Sequence, residues 1–426
     1  MTGYVCIACG QDWPADFSGY VCRTCGGNLD VQYDYAAIRA EGDPKRWFTA
    51  GPRTDQFRFG ALLPVRDLAC APPLRVGATP LYLATRLGAM AGLDAVYLKD
   101  EGLNPSQSFK DRASAMIMAR AVEAGVAVVA GASTGNAGSS LACMAAAAGR
   151  PCVVFVPERA PPAKLAQLLI FGAWVIAVRG SYDDAFDLCA RVCEVKGWLN
   201  RNTGFNPFTR EGKKTAAFEI LEQCGDAPPD RIVVPTGDGN IISGIWKGLK
   251  EAHALGLITR LPRVDCAQAE GSAAITRAVH RLRAEGSVPP DGDWRSVTIE
   301  PVPACTLADS IAVDDPRDGL AAVRAVVESG GEAVAVPDEA ILEAIKDIAR
   351  HAGVFVEPSC ACAWAALRAL KAQGKVESDE RVVVLLTGSG LKDIASARKV
   401  AGAPLVVDPD LDAALGALDS VSFEVD

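Results

Sequence analysis

From Val126 onward the chain alternates short apolar runs with longer amphipathic stretches. Runs rich in Val, Ile, Leu and Ala at 127–130, 152–156, 175–178, 231–234, 264–268 and 381–386 predict strands. Apolar positions recurring every three or four residues predict helices over 138–148, 162–171, 182–196, 211–223, 240–253, 338–351 and 362–373. Upstream, a strand at 96–98 leads into a turn-rich loop, 102–108. Phe109 and Lys110 then open a helix running to about 124. Short buried strands separated by helices describe an α/β chain, with a largely parallel sheet covered on both faces. Ligands of such folds gather at the carboxyl ends of the strands, where loops enter helices. Residues 36–75, rich in Pro, Arg and aromatics with weak periodicity, read as an arm over the body or a partner subunit. Residues 404–426 read as an acidic, peripheral tail.

Composition narrows the class. At 426 residues, the chain is long enough for two or three units. The hydrophobic half, with only 6% aromatics, suits closely packed α/β layers. A net charge of -9 argues against non-specific nucleic-acid binding. The opening MTGYVCIACG has no basic segment followed by an apolar run, and 142–148 is too short to span a bilayer. A cytoplasmic protein is expected, with most of its 14 cysteines reduced in the core.

Four of those cysteines stand apart. Cys6 and Cys9, then Cys22 and Cys25, form two CxxC knuckles, each followed by a glycine (Gly10, Gly26) that permits a tight turn. Four thiolates at this spacing suit tetrahedral Zn2+ in a small ribbon over 1–35 better than two disulfides. Without a basic patch, the ribbon reads as a structural cap on which the chemistry does not depend.

Four stretches carry candidate chemistry. Lys110 stands at a helix mouth beside a hydroxyl-rich loop; desolvated there, its amine would capture an aldehyde. In the loop after the 127–130 strand, Ser133, Thr134 and Gly135 offer hydroxyls and backbone donors to a carboxylate, and the Asn136 amide can reach a phenolate-like oxygen. Gly237, Asp238, Gly239, Asn240 and Ile241 present backbone N–H groups at a helix start, a phosphate cradle in which the Asp238 carboxylate is awkward. Thr387, after the last core strand, can face a ring nitrogen; capping a helix is the alternative for it and for Ser389. His253, His280 and His351 are too scattered for a triad. Cys360 and Cys362 read as buried helix-start thiols, and Trp246 and Trp364 as core residues.

SFKDR, STGNAG, PTGDGN and TGSGLKD, in this order, resemble the pyridoxal-phosphate enzymes of the tryptophan-synthase β kind, fold type II. The segment NPF…EGKKTAAFE at 206–219, with TLADSI at 306–311 and EPS at 357–359, is similar to the threonine synthase family. The resemblance implies two parallel-sheet αβα units within 76–403, the smaller about 110–205 and the larger from 76–109 and 206–403, besides the ribbon. It implies that Lys110 holds pyridoxal 5'-phosphate as a Schiff base and shuttles protons, and that Asn136 contacts the ring oxygen. It further implies that 237–241 hold the phosphate, that Thr387 faces the ring nitrogen, and that 133–135 receive a small amino-acid substrate. The implied reaction converts O-phosphohomoserine and water to threonine and phosphate, in a homodimer. Lys213, Lys214, Arg210, Arg112 and Arg179 are cations available to a departing phosphate. Ser389 stands where the family has histidine, and Asp238 where a neutral residue is common. Both departures leave open a β-replacing or β-eliminating enzyme on a serine- or phosphoserine-like substrate, of which cysteate synthase is one example. A silent homologue that only binds the cofactor is a third reading.

Overall fold

The computed structural model describes residues 1–48, 53–225, 227–286, 289 and 293–421. Three short strands, β1 (Gly3–Cys6), β2 (Asp12–Pro14) and β3 (Leu29–Gln32), form an antiparallel ribbon in the order β2-β1-β3. The remaining strands in chain order are β4 (Leu81–Leu83), β5 (Ala95–Asp100), β6 (Val129–Ala132), β7 (Cys152–Pro157), β8 (Trp174–Val178), β9 (Leu199–Asn200), β10 (Arg231–Pro235), β11 (Arg263–Ala269), β12 (Ala333–Val336) and β13 (Arg381–Leu386). They make two sheets. The six-stranded sheet runs β12-β11-β10-β13-β5-β4, parallel except for the edge strand β4. The four-stranded sheet runs β8-β7-β6-β9 and is wholly parallel.

The apolar runs explain which strands are central. β10 is buried along its whole length, and Val382–Leu386 of β13 likewise, as expected of strands covered on both faces. Helix packing is close where residues are small. A Cβ on Gly212 would lie 2.0 Å from the Arg112 carbonyl oxygen. The helix Phe208–Lys213 therefore lies directly against Lys110–Glu123, the helix that carries the candidate lysine.

The alternation of strands and helices predicted from the apolar pattern is present, with local differences. The 127–130 strand lies two residues later, at Val129–Ala132. The 211–223 helix begins at Phe208 and divides at Lys214 into Phe208–Lys213 and Thr215–Cys224. The 362–373 helix begins at Pro358, because proline is accommodated in a first turn. β4, β9 and β12 have no counterpart among the expected strands; each is four residues or fewer, too short to show a period.

The ribbon is not a detached cap. The Tyr4 and Phe208 rings lie 6.2 Å apart, and Leu29 and Val31 join the main apolar core. Asn28 Nδ2 donates to the Arg317 carbonyl at 2.7 Å and to Asp318 Oδ1 at 2.8 Å. Arg210 donates to the Leu29 carbonyl, and Lys247 to that of Val31.

Candidate active site

The carboxyl ends of β6, β10 and β13 and the helix mouth at Lys110 open onto one cavity of about 350 Å³. Lys110, Thr387 and every residue of 133–136 and 237–241 line it. Motifs more than 250 residues apart in the chain thus share a single wall.

Lys110 is the first residue of its helix and half-buried. Its position is fixed from outside the helix. Phe109 N–H donates to the Thr387 carbonyl at 2.8 Å, and Ser389 N–H to the Gln107 carbonyl at 3.1 Å. These bonds, with Gln107 in the left-handed region at φ 63°, lace the lysine loop to the end of β13. Asp111 points away from the cavity and accepts the Ser106 N–H at 2.6 Å. Burial, then the nearby Arg201, lowers the Lys110 pKa against the fields of Glu357 and Asp238. A lowered amine is what nucleophilic and general-base duty require.

On the β6 side, Gly138 lets its helix close onto the loop: a Cβ there would sit 2.3 Å from the Ser133 carbonyl oxygen. Gly135 N–H donates to Ser133 Oγ at 3.2 Å. Asn136 Nδ2 is held by Glu357, 2.9 Å from Oε1 and 3.0 Å from Oε2, and lies 3.2 Å from Ser310 Oγ. Burial raises the Glu357 pKa, countered by the Asn136 amide. A Cβ on Gly388 would lie 2.6 Å from Glu357 Oε1, so the carboxyl rests where only glycine fits. Glu357 and Ser310 are cavity residues that sequence reasoning did not single out; the EPS and TLADSI segments were the available signal.

The cradle 237–241 depends on glycine twice. Gly239 has φ 92°, and a Cβ on it would meet the Asp318 carbonyl at 2.6 Å; one on Gly237 would meet Ile311 Cα at 2.8 Å. The Asn240 side chain is spent on structure, donating to Asp318 Oδ2 at 2.8 Å. Its backbone N–H at the helix start remains free for a ligand. Asp238 resolves its awkwardness by turning aside: Oδ1 accepts the Arg317 N–H at 2.7 Å, and burial, then Asp318, pushes its pKa up to about 6. Beneath the cradle, buried Asp318 also accepts from Ser243 Oγ at 2.8 Å and from Arg210 Nη2 at 2.5 Å.

At the end of β13 the two hydroxyls part company. Thr387 lines the cavity, 3.5 Å from the buried Cys360 thiol, which also receives the Gly388 N–H at 2.9 Å. Ser389 is not among the lining residues; its Oγ accepts Leu391 N–H and caps the Gly390–Lys392 turn. Four of the five candidate cations are occupied elsewhere. Arg112 pairs with Glu101 and Glu219, Lys214 with Glu211 and Glu251, Arg210 with Asp318 and Asp30, and Arg179 with Glu158 at the surface. Lys213 alone of the five lines the cavity.

In the ribbon, the sulfurs of Cys6, Cys9, Cys22 and Cys25 all lie within 4.8 Å of one another. Gly10 and Gly26 return their N–H groups to the Cys6 and Cys22 carbonyls with φ of 72° and 74°, as the knuckle turns require. The pairs Cys6–Cys25 at 3.4 Å and Cys9–Cys22 at 3.8 Å are too long for disulfides and close to the edges of a thiolate tetrahedron. The cluster is able to take a metal ion.

Comparison with known proteins agrees with this geometry. Residues 73–388 match the family described as pyridoxal-phosphate dependent enzyme. The chain is 39% identical over 408 residues to a threonine synthase of Methanocaldococcus jannaschii, covering 96% of this chain and 97% of that one. It is 38% identical to the threonine synthase of Mycobacterium bovis, over 82% and 91% of the two chains. Among solved structures, processed threonine deaminase isoform 2 from Solanum lycopersicum superimposes with a TM-score of 0.63 at 23% identity, over 76% of this chain and 82% of that one. O-ureido-L-serine synthase gives 0.61 at 19%, over 80% and 96%; both likenesses show the fold. The glycine cradle, the lysine at its helix mouth and these relatives together make the chain a member of the threonine synthase family of pyridoxal-phosphate-dependent lyases.

Proposed function

We propose that this enzyme converts O-phosphohomoserine and water to threonine and phosphate. The observation that carries the reading is the near-full-length similarity to a threonine synthase, matched by four ordered loops lining one cavity. The cavity suits the cofactor: it has an amine of lowered pKa, a backbone cradle whose glycines 237 and 239 press against Ile311 and Asp318 with no room for a Cβ, and the Thr387 hydroxyl. Bound there, pyridoxal phosphate would supply the electron sink for charge at the substrate Cα.

The chain supplies positions and protons. The 237–241 backbone holds the phosphate, and Thr387 faces the ring nitrogen with a neutral hydroxyl, which does not enforce its protonation. Asn136 reaches the ring oxygen by giving up a bond to Glu357. Ser133, Thr134 and Gly135 seat the substrate carboxylate. Lys110 takes the Cα proton; a second proton leaves Cβ as phosphate departs from Cγ. Cγ is then protonated, water adds at Cβ, and Lys110 returns a proton to Cα, so atoms and charge balance. With this reading, 1–35 is a zinc ribbon, 36–75 an arm, 76–403 the catalytic region in two units, and 404–426 a tail, of which 422–426 lie outside the described residues. We place the protein in the cytoplasm as a homodimer. No helix among the described residues is long and apolar enough to cross a membrane.

Purified enzyme given O-phosphohomoserine should release phosphate and form threonine in equal amounts. Pyruvate or a replacement product from serine or phosphoserine, with no threonine, would replace this reading by the β-eliminating one. Ser389 in place of histidine is the observation favouring that alternative. Lys110→Ala should lose the absorbance band of the lysine-bound cofactor and at least about 10²–10⁴-fold in rate. For the ribbon, Cys6→Ser should lower zinc content from stoichiometric toward none; unchanged zinc would place the ion elsewhere.

A further inference from the structure

Among the described residues, Lys213 is a buried lysine whose ammonium has no hydrogen-bond partner. It closes the helix Phe208–Lys213, which is wedged between the lysine-bearing helix and the helix Asn240–Ala254 that opens at the cradle. Contact with the second helix is tight: Lys213 Cβ lies 3.0 Å from where a Cβ on Gly244 would be. From Gly244 back to Asn240 is four residues, a rise of about 6 Å, roughly the reach of an extended lysine side chain. Lys213 therefore starts beside the second turn of that helix and ends on the cavity wall at its first.

Charge makes this placement costly without a ligand. Lys110 and Arg201 repel the Lys213 ammonium, and burial disfavours it further. The two carboxylates nearest in field, Asp238 and Asp318, are bonded to other groups. An unpaired buried amine is retained at such expense where an anion completes it. The cradle contributes only uncharged N–H groups and includes a carboxylate, so a phosphate dianion settling there lacks a full counter-charge.

We propose that Lys213 binds the cofactor's 5'-phosphate, adding a charged side-chain contact to the backbone cradle of 237–241. This rests on membership of the pyridoxal-phosphate family and not on the identity of the amino-acid substrate, so it stands or falls separately from the threonine reaction. The substrate seat at 133–135 follows β6, on the other sheet, and Lys213 packs against the cradle helix, which selects the cofactor's phosphate over the substrate's.

The test is the affinity of apo-protein for two aldehydes, pyridoxal phosphate and pyridoxal, followed by cofactor absorbance. In Lys213→Met, the dissociation constant for pyridoxal phosphate should rise about 10- to 100-fold, the range for a charge-assisted bond. That for pyridoxal should stay within about twofold, and Lys213→Arg should recover most of the loss. Equal weakening for both aldehydes would mark a structural role and overturn the proposal. So would unchanged binding of both, or a change only in KM for a phosphorylated amino acid. Should Lys213→Met not fold, wild-type apo-protein supplies the readout through acetylation of lysines followed by peptide mass. Inorganic phosphate should slow acetylation at Lys213 and not at exposed Lys196; no protection at Lys213 overturns the assignment.

Discussion

Arg112 follows the sequence motif's lysine by two residues but has a different task. It is fully buried, with Nε 2.7 Å from Glu101 and Nη2 2.6 Å from Glu219, and Lys99 lies 2.9 Å from the same Glu219. Burial works against ionisation of Glu219, yet Arg112 and Lys99 hold its carboxyl below the usual range. Breaking such a cluster by removing one partner leaves uncompensated charge. Arg112→Ala should lower unfolding free energy by ~3–5 kcal/mol in denaturant titration. Lys213 gives the opposite sign. Burial, then Lys110 and Arg201, keeps its pKa well below that of a free lysine. Between that lowered value and about pH 10.4 the unfolded chain therefore binds a proton that the folded apo-protein does not, and this group's contribution to stability rises with pH across that window. Lys213→Met apo-protein should be more stable than wild type at neutral pH and show a shallower rise; a steeper rise would contradict this. At this scale Lys110 was legible because it heads a motif. Glu357 was not, since a carboxylate in a helix-start EPS reads equally well as a cap. Nor could spacing separate Lys213 from Lys214: adjacent residues on a helix point about 100° apart, and only the packing shows which faces the cavity.

Among the elements, the loops matter through what they press against. The lysine loop is held by the 387–389 loop, and the cradle by Asp318, each through backbone or buried bonds rather than through its own sequence. The regular elements were readable because buried parallel strands are apolar throughout and their covering helices keep a 3.6-residue period. β12 and β4 were not, being short runs whose pairing is decided by neighbours. The contact between Phe208–Lys213 and Lys110–Glu123 is a sharp case. Nothing in EGKK says that Gly212 faces another backbone, yet Gly212→Ala would place a methyl 2.0 Å from the Arg112 carbonyl oxygen. The helices must separate, at a cost of about 1–3 kcal/mol or more. A thermal midpoint lowered in Gly212→Ala, together with weaker cofactor binding because Lys110 shifts with its helix, is the expected result.

Across the whole molecule, the two sheets meet over the cavity and surface ion pairs cross its mouth. Lys164 reaches Asp309 at 2.6 Å, and Arg317 reaches Asp183 at 2.8 Å. Both pairs are exposed, so each contributes at most about 1 kcal/mol. The ribbon is the less expected participant. Its sequence, without a basic patch, reads as a bystander, and its four cysteines are legible as a cluster. Its attachment is not, because Asn28 meets Asp318 from 290 residues away. With zinc in the four-cysteine cluster as proposed, chelating it should loosen that end of the chain and weaken pyridoxal-phosphate binding by a factor of a few to about 100. Equal cofactor affinity in chelated and metal-loaded protein would show the ribbon to be independent after all.

Asn28 donates to the carboxylate that also anchors Asn240 and Ser243 at the base of the cradle. Coupling of this kind is reciprocal: whatever factor the metal adds to cofactor affinity, the cofactor must return to metal affinity. The protein would then behave as a two-key assembly. Either ligand is retained best when the other is in place, and a shortage of one in the cell would be felt as leakage of the other.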